Sequence, residues 1–293
     1  MITKAVIPVA GLGTRLLPAS KAIPKEMVTV VDRPAIQYVV EEAVASGIRE
    51  IVLVTHSAKR AVEDHFDVNY ELESELEKKH KHNLLREVRD IVPPEVRVIS
   101  VRQGQALGLG HAVLCAREVI GNEPFAVLLA DVLVDNLESP DIDLRAMLQR
   151  FAESGQAQIM VEPVPREKVH QYGIVELNGH NPEPGKSTPM TGITEKPAPE
   201  DAPSRLAVVG RYVLPPHIFS LLQDTPPGAG DEIQLTDAIA RLLDEQGAEA
   251  WRMTGRTHDC GSKIGYLEAV LFYGLRHPEL GPAFRELVRE QLD

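Results

Sequence analysis

The stretch AGLGTRLLPASKAIPKEM, residues 10–27, follows directly on a short apolar run, KAVIPVA at residues 4–10, and this junction constrains the fold more than any other part of the chain. The run is rich in branched residues, which suits a strand buried on both faces of a parallel sheet. Pro8 counts against a central strand, because proline removes a ladder donor. Gly11 and Gly13 let the backbone turn tightly and approach a ligand with no Cβ in the way, so that successive N–H groups can point at an anion. Arg15 adds a planar fork matched to phosphate, and Lys21 and Lys25 add mobile point charges. An ordinary glycine turn followed by solvated basic residues is the plainer alternative. Three cations spaced behind two glycines in one loop favour the phosphate cradle.

Two better-known glycine designs are excluded. A GxGxxG dinucleotide loop needs glycine at position 16, where the chain has Leu16, and a P-loop needs GxxxxGK followed by Ser or Thr. Downstream, IVLVTH (51–56), VRVISV (96–101) and PFAVLLAD (124–131) read as further strands. Helix-period apolar residues lie between them at 34–46 and 110–119, with Gly47 as a helix stop. The series predicts an α/β fold with a Rossmann-like, mostly parallel mixed sheet flanked by helices, in which ligands bind beyond the carboxyl ends of the strands. The opening loop and Asp131 both stand at such ends. A carboxylate closing the strongest apolar strand has little reason to be there unless it binds something.

Residues 62–90 mix both charge signs with scattered leucines, the pattern of one or two exposed helices. His80 and His82 are flanked by Lys78, Lys79 and Lys81, whose charge repels a metal, so a solvated helix is expected there. A helix over 143–154 precedes shorter strands at 158–164, 173–177, 192–196 and 206–214, a small additional β region. NGHNPEPGKSTPMTG (178–192) reads as a long turn or loop. Helices resume at 232–245, 263–276 and 283–292.

The net charge of −12 speaks against a nucleic-acid partner, which would ask for a basic face. It also repels anionic ligands in general, so the cations of the opening loop must reverse the field locally. Aromatic residues make up only 4%, leaving the core to Val, Ile, Leu and Ala. Of the two cysteines, Cys115 lies in an apolar helical stretch and Cys260 has nothing beside it that marks a nucleophile. This usage fits a reducing, cytoplasmic location. No stretch approaches the roughly 18 apolar residues of a membrane span, and the start lacks signal-peptide architecture, so no membrane partner is expected.

The opening motif resembles the signature of the sugar-1-phosphate nucleotidylyltransferases, in particular the bacterial branch that joins UTP and glucose 1-phosphate. The resemblance continues through FDVNYELESEL (66–76), VRQGQALGLGHAVLCA (101–116), LLADVLVD (128–135), ITEKP (193–197), VVGRYVL (208–214), GAGDEIQLTDAI (228–239) and DCGSKIGYLEA (259–269), and so spans nearly the whole chain. It implies the nucleotide-diphospho-sugar transferase type of fold and attack of glucose 1-phosphate on the α-phosphorus of UTP. Such a reaction needs two anions held in line and a stabilised leaving group, with no nucleophilic side chain.

The resemblance assigns Ala10 and Gly11 to the base and sugar of the nucleotide, and Gly13, Thr14, Arg15 and Lys25 to its phosphates. Gln103 and Gly108 match positions that read the uracil edge; without the match, Gln103 would be an exposed polar residue at a strand end. The second glycine loop, GQALGLGHA from Gly104, opens a helix whose N-terminus can accept anionic or carbonyl groups. Asp131 and Asp259 match metal-associated aspartates, for which Mg2+ is the expected ion. A cap on the helix beginning near Ser262 is the competing role for Asp259. Lys196 would meet the phosphate of glucose 1-phosphate, Glu195 its sugar hydroxyls, and Gly173 would give the sugar close backbone access. Neighbours on a strand, Glu195 and Lys196 should point to opposite faces, with the following proline holding Lys196 extended; a surface salt bridge between them is the alternative. Arg15, Lys25, Asp131 and Lys196 form the expected catalytic set.

The pattern is broken at two places that touch packing more than charge: Val28 and Thr29 follow PKEM where Leu-Pro is usual, and Leu129-Ala130 precede Asp131 where a proline is common. With no repeat or linker, a single domain over 1–293 is expected, with 1–135 mainly for nucleotide, 136–262 mainly for sugar phosphate, and 263–293 as C-terminal helices that close the fold or contact a second subunit in a homodimer or homotetramer. A thymidylyltransferase using dTTP is the neighbouring alternative, since one methyl group discriminates by only about 1–3 kcal/mol. A catalytically weak regulatory relative is the other.

Overall fold

A computed structural model describes residues 2–136, 142–179 and 181–292. The chain begins with β1 (Lys4–Pro8), then runs through three short 3-10 turns (Thr14–Leu16, Ala19–Lys21 and Lys25–Met27) before the small hairpin β2 (Thr29–Val30) and β3 (Arg33–Pro34). Next come α1 (Ala35–Ala45), β4 (Glu50–Thr55), α2 (Arg60–His65), α3 (Tyr70–Lys78), α4 (His82–Arg89), β5 (Arg97–Arg102), α5 (Leu109–Cys115), α6 (Arg117–Ile120), β6 (Phe125–Leu128) and β7 (Val132–Asp135). The second half holds α7 (Asp143–Ser154), β8 (Ala157–Pro163), β9 (Gly173–Leu177), β10 (Lys186–Glu195), β11 (Leu206–Leu214), α8 (Ile218–Gln223), α9 (Leu235–Gln246), β12 (Ala248–Arg252), β13 (Arg256–Asp259), α10 (Lys263–Arg276) and α11 (Gly281–Leu292).

Among the described residues, nine strands form one sheet in the order β5-β4-β1-β6-β11-β8-β12-β10-β9. The first four are parallel to one another; β11 then runs antiparallel to both β6 and β8, and the sheet continues mixed. A separate antiparallel pair joins β7 to β13. Side chains alternate between the two faces, as strand geometry requires. Along β1, Val6 joins Val52, Val127 and Phe125 under α8 and α9, whereas Ala5 and Ile7 join Leu53, Val39 and Met147 under α1 and α7. Burial on both faces is why the sequence reads there as an unbroken apolar run. Pro8 is accommodated because it is the last residue of its strand.

Several local expectations are corrected. The run 124–131 does not carry its strand to Asp131: β6 ends at Leu128, and Asp131 sits in the turn leading into β7. Residues 62–90 make parts of three helices, not one or two. The expected loop over 178–192 becomes strand from Lys186, because β12 supplies a partner for Lys186 to Pro189, and tertiary pairing overrides turn-like composition. His180 of that stretch lies outside the described residues. Helix α9 starts at Leu235, three residues after the expected start, because residues 232–233 run extended against residues 107–110. Among the described residues no helix is long and apolar enough to cross a membrane.

The end of β6 is set by an unusual point on β11. Gly210 has φ +77°, and a Cβ there would stand 2.7 Å from Leu129 Cγ. We expect Gly210→Ala to destabilise the protein by about 1–3 kcal/mol through left-handed strain and overpacking. A lowered urea midpoint with unchanged slope would show it; an unchanged midpoint would remove Gly210 as the point where the strand turns away.

Candidate active site

In the parallel part of the sheet, β1 has β4 on one side and β6 on the other, so the strand order reverses between β1 and β6. A crevice opens at such a reversal, beyond the carboxyl ends of the strands. The loop after β1 and the turn after β6 both begin there, which brings residues 9–28 against Asp131.

Four charged side chains meet in this crevice. Lys25 Nζ lies 2.5 Å from Asp131 Oδ2. Arg15 donates to Asp259 Oδ2 at 2.9 Å and stands 3.7 Å from Asp131 Oδ2. Burial alone would push the Asp131 carboxyl up, but Lys25, with Arg15 behind it, outweighs burial and holds it below the usual range. Burial would likewise lower the Lys25 ammonium, and Asp131 outweighs it, leaving the pKa raised. Both shifts favour the charged forms. The solvated-turn alternative fails for Lys25, which is largely buried; Lys21 is exposed.

The glycines explain how Lys25 reaches Asp131. Gly13, at φ +68°, leaves room for the Lys25 stem, since a Cβ there would lie 3.0 Å from Lys25 Cβ; one at Gly11 would lie 3.5 Å from Lys25 Cε. Ser20 Oγ fastens the turn by donating to the Gly13 carbonyl at 2.6 Å. Thr14 follows at the head of the first 3-10 turn, and Ala10 stands two residues past the end of β1. Asp259 ends β13, opposite Val132 in the strand pair with β7. The helix cap, the competing role for Asp259, is supplied by Ser262, whose Oγ accepts from Gly265 N at 3.2 Å.

A second group lines the same cleft, about 290 Å³ in volume, with Arg15, Asp131 and Asp259. Gly173 pairs with Glu195 across β9 and β10, and Thr236 at the start of α9 donates to Glu195 Oε2 at 2.7 Å. Lys196 is not extended and does not point away from Glu195. It adopts φ +46°, just past the end of β10, and its ammonium lies 3.2 Å from Glu195 Oε1. Proline at position 197 therefore does not impose the expected conformation. A non-glycine residue in the left-handed region is strained, and such strain concentrates at functional sites.

Gln103 and Gly108 form a neighbouring pair at the mouth of β5. Gln103 is buried, not exposed, and its Nε2 donates to the Gly108 carbonyl at 3.1 Å. Gly108, at φ +96°, packs so closely on residues 232–233 that a Cβ would meet Glu232 Cβ at 2.7 Å. His80, in the turn after α3, and His82, the first residue of α4, are both exposed, and no cluster of three metal-ligating side chains forms among the described residues.

Other participants went unread in the sequence. Glu26 is fully buried beside Lys25 and pairs with Lys59 at 2.7 Å. Burial pushes the Glu26 carboxyl up, and Lys59 only partly opposes it. Glu162 lines the cleft and accepts from Thr257 Oγ1; burial raises its carboxyl as well. Arg211 is fully buried on β11, and the one available signal was an arginine inside VVGRYVL, an otherwise apolar run.

A cleft at the strand reversal of a mixed α/β sheet, walled by cations and carboxylates in close pairs, is the equipment of an enzyme that handles phosphate esters. The chain belongs to the nucleotidyl transferase family, whose pattern matches residues 4–274. It is 58% identical over 288 residues to a Haemophilus influenzae protein named UTP–glucose-1-phosphate uridylyltransferase, the match covering 98% of each chain. A UTP-bound UGPase from Acinetobacter baumannii superimposes with a TM-score of 0.94 at 61% identity, over 99% of each chain. A UDP-glucose pyrophosphorylase complexed with UDP-glucose gives 0.85 at 42% identity, over 94% of this chain and 100% of that one.

The Lys25–Asp131 contact is testable without any ligand. Unfolding of Lys25→Met, Asp131→Asn and the double variant should give a coupling energy of about 0.5–3 kcal/mol, the range for groups in direct contact. Additive losses would mean that the pair does not organise the cleft.

Proposed function

We propose that the protein transfers the uridylyl group of UTP to α-D-glucose 1-phosphate, forming UDP-glucose and releasing pyrophosphate. The observation that carries this reading is the convergence of Arg15, Lys25, Asp131, Asp259, Glu195 and Lys196 at one cleft, in a chain whose relatives of that name match it over nearly its whole length.

In this reading residues 1–135 hold mainly the nucleotide and 136–262 mainly the sugar phosphate, within one domain. The backbone of Ala10 and Gly11 faces the base and ribose, and Gln103 with Gly108 reads the uracil edge. Gly13, Thr14, Arg15 and Lys25 hold the phosphates. Lys196 binds the phosphate of glucose 1-phosphate, Glu195 accepts from the sugar hydroxyls, and Gly173 lets the ring approach the backbone. A phosphate oxygen of the sugar attacks the α-phosphorus as the bond to the bridging oxygen of the β-phosphate breaks, and pyrophosphate leaves with that electron pair. Arg15 and Lys25 meet the charge that gathers on it, exchanging carboxylate partners for phosphate oxygens. No side chain need act as nucleophile. Cys260 is unsuited to that task, since burial pushes its thiol up to about 12.

The residues fit magnesium. The position a Cβ would take at Gly261 lies 2.5 Å from Arg15 Nη2, 2.7 Å from Asp131 Oδ2 and 2.9 Å from Asp259 Oδ1, so both carboxylates converge on a point where a cationic group already stands, and a metal ion would take over that charge as Arg15 turns to the phosphates. Two carboxylates, completed by phosphate oxygens and water, are the donor set this ion prefers. When bound, it supplies positive charge against the phosphates and helps align them. Free cysteines fit a cytoplasmic setting.

The assay is pyrophosphate release from UTP plus glucose 1-phosphate. We expect EDTA to abolish it and Mg2+ to restore it, UTP to be preferred over dTTP, CTP and ATP, and Lys25→Ala or Asp131→Asn to raise the barrier by about 2.7–4 kcal/mol, roughly a hundred- to a thousandfold in rate. Absence of release by the wild type with Mg2+ would overturn the reaction; undiminished turnover in either variant would remove that residue from it.

Helix α10 leaves Ile264, Leu267 and Leu271 exposed along one stripe, which supports a subunit contact through the C-terminal helices of a homodimer or homotetramer. Light scattering should then show Leu267→Glu shifted toward monomer, and a wild type that is monomeric at micromolar concentration would dismiss the contact.

A further inference from the structure

Arg211 has no exposed surface and lies in the middle of β11, between Gly210 and Tyr212. Its Nε and Nη2 donate to the Glu42 carboxylate of α1 at 3.0 and 2.8 Å. Nη1 donates to the carbonyls of Leu129 and Gly210, both at 3.2 Å, and Nη2 also donates to the carbonyl of Val132 at 2.7 Å. Leu129 and Val132 bracket the turn that carries Asp131. That turn is closed by Val132 N donating to Leu129 O at 3.4 Å, and its entry is tied to β11 by Leu129 N donating to Gly210 O at 2.9 Å.

Three irregularities gather here. The register of β11 against β8 shifts between Val208 and Tyr212, Gly210 takes a positive φ, and a guanidinium is buried in an apolar strand. Bulges of this kind re-aim side chains next to sites. Val132 is moreover the register partner of Asp259 across β7 and β13, so the bond to its carbonyl acts on the strand pair that sets one aspartate against the other.

We propose that Arg211 is a positioning residue for the reaction: gripping both ends of the turn, it fixes the Asp131 carboxylate relative to Asp259, with Glu42 holding the guanidinium in plane. This rests on the reading that Asp131 and Asp259 serve the transfer. Stability alone is a poor reason for such a group, because a buried ion pair is commonly matched or exceeded by apolar residues of the same volume. Arg150 offers the contrast. From α7 and with part of its side chain exposed, it makes a paired contact to Glu249 of β12 at 2.7 and 2.6 Å, and neither residue lines the cleft.

The test compares full-length wild type, Arg211→Lys, Glu42→Gln and Arg150→Met well below their unfolding temperatures, with steady-state kinetics and Mn2+ titration in the presence of UTP. A lysine offers one charged point where the guanidinium spans four acceptor groups. For Arg211→Lys we expect kcat to fall about ten- to a hundredfold and Mn2+ affinity at least about tenfold, as when supporting partners of metal ligands are lost. The KM for UTP should change by less than about threefold. Glu42→Gln should move kcat and Mn2+ affinity in the same direction by a smaller factor, and it carries the test should Arg211→Lys not fold. Arg150→Met should lower the unfolding temperature with kcat and Mn2+ affinity unchanged. Wild-type kcat and Mn2+ affinity in folded Arg211→Lys, or in Glu42→Gln where it carries the test, would overturn the proposal, as would equal losses in Arg150→Met. A wild type that neither turns over nor binds Mn2+ would overturn the functional reading and this one with it.

Discussion

The ion pair between Lys25 and Asp131 is the contact on which the cleft depends. Asp131 is nearly buried in a chain of net charge −12, and a lone carboxylate in that position would be driven toward its neutral form. Lys25 at 2.5 Å keeps it ionised, and Asp131 in turn keeps the ammonium charged despite its own burial. Lys25 can approach only because its stem crosses Gly13 and Gly11, where a Cβ would stand 3.0 and 3.5 Å from its carbons. The glycines of the opening motif thus serve a side chain as well as a ligand. Loop shape and charge state are consequences of the same packing.

Two buried pairs flank that contact. Glu26, next to Lys25 in one 3-10 turn, points inward to Lys59, and Arg211 on the far side of Asp131 is held by Glu42. Buried pairs seldom add net stability once desolvation is counted, but breaking one leaves an uncompensated charge. Their effect is therefore geometric. Small shifts that separate a buried charge from its partner are costly, so Lys25 and Asp131 inherit fixed origins from neighbours that never touch the ligand space.

Much of this was legible in the sequence because it rests on local pattern. The strand at β9, the fully buried strand at β11, and helices α7 and α10 stand where apolar periodicity and punctuation put them. The resemblance also named all four charged residues of the crevice. What local pattern could not carry was long-range. The extension of β10 through Lys186 depends on β12, a strand that is only five residues long and includes Glu249 and Arg252. The turn at Asp131 depends on Arg211 and Gly210, about eighty residues downstream. Lys196 escapes the preference that precedes proline because its amide donates to Tyr172 O at 2.9 Å and its ammonium pairs with Glu195, two contacts that no dipeptide rule contains.

An extended segment joins the two halves of the cleft. Ile233 donates to the Leu107 carbonyl and accepts from Gly110 N, both at 2.8 Å, on either side of Gly108. Three residues further on, Thr236 holds Glu195. Any side chain at position 108 would press on this segment, and through it on the start of α9 and the carboxylate assigned to the sugar. The sides proposed for the nucleotide and for the sugar phosphate are therefore tied to one segment. In-line transfer between two anions asks for that above all, because orientation contributes more to such a reaction than any single reactive group. The proposed transfer needs no nucleophilic side chain as long as the distance between the two walls is held, and residues 107–110 and 232–236 tie those walls together.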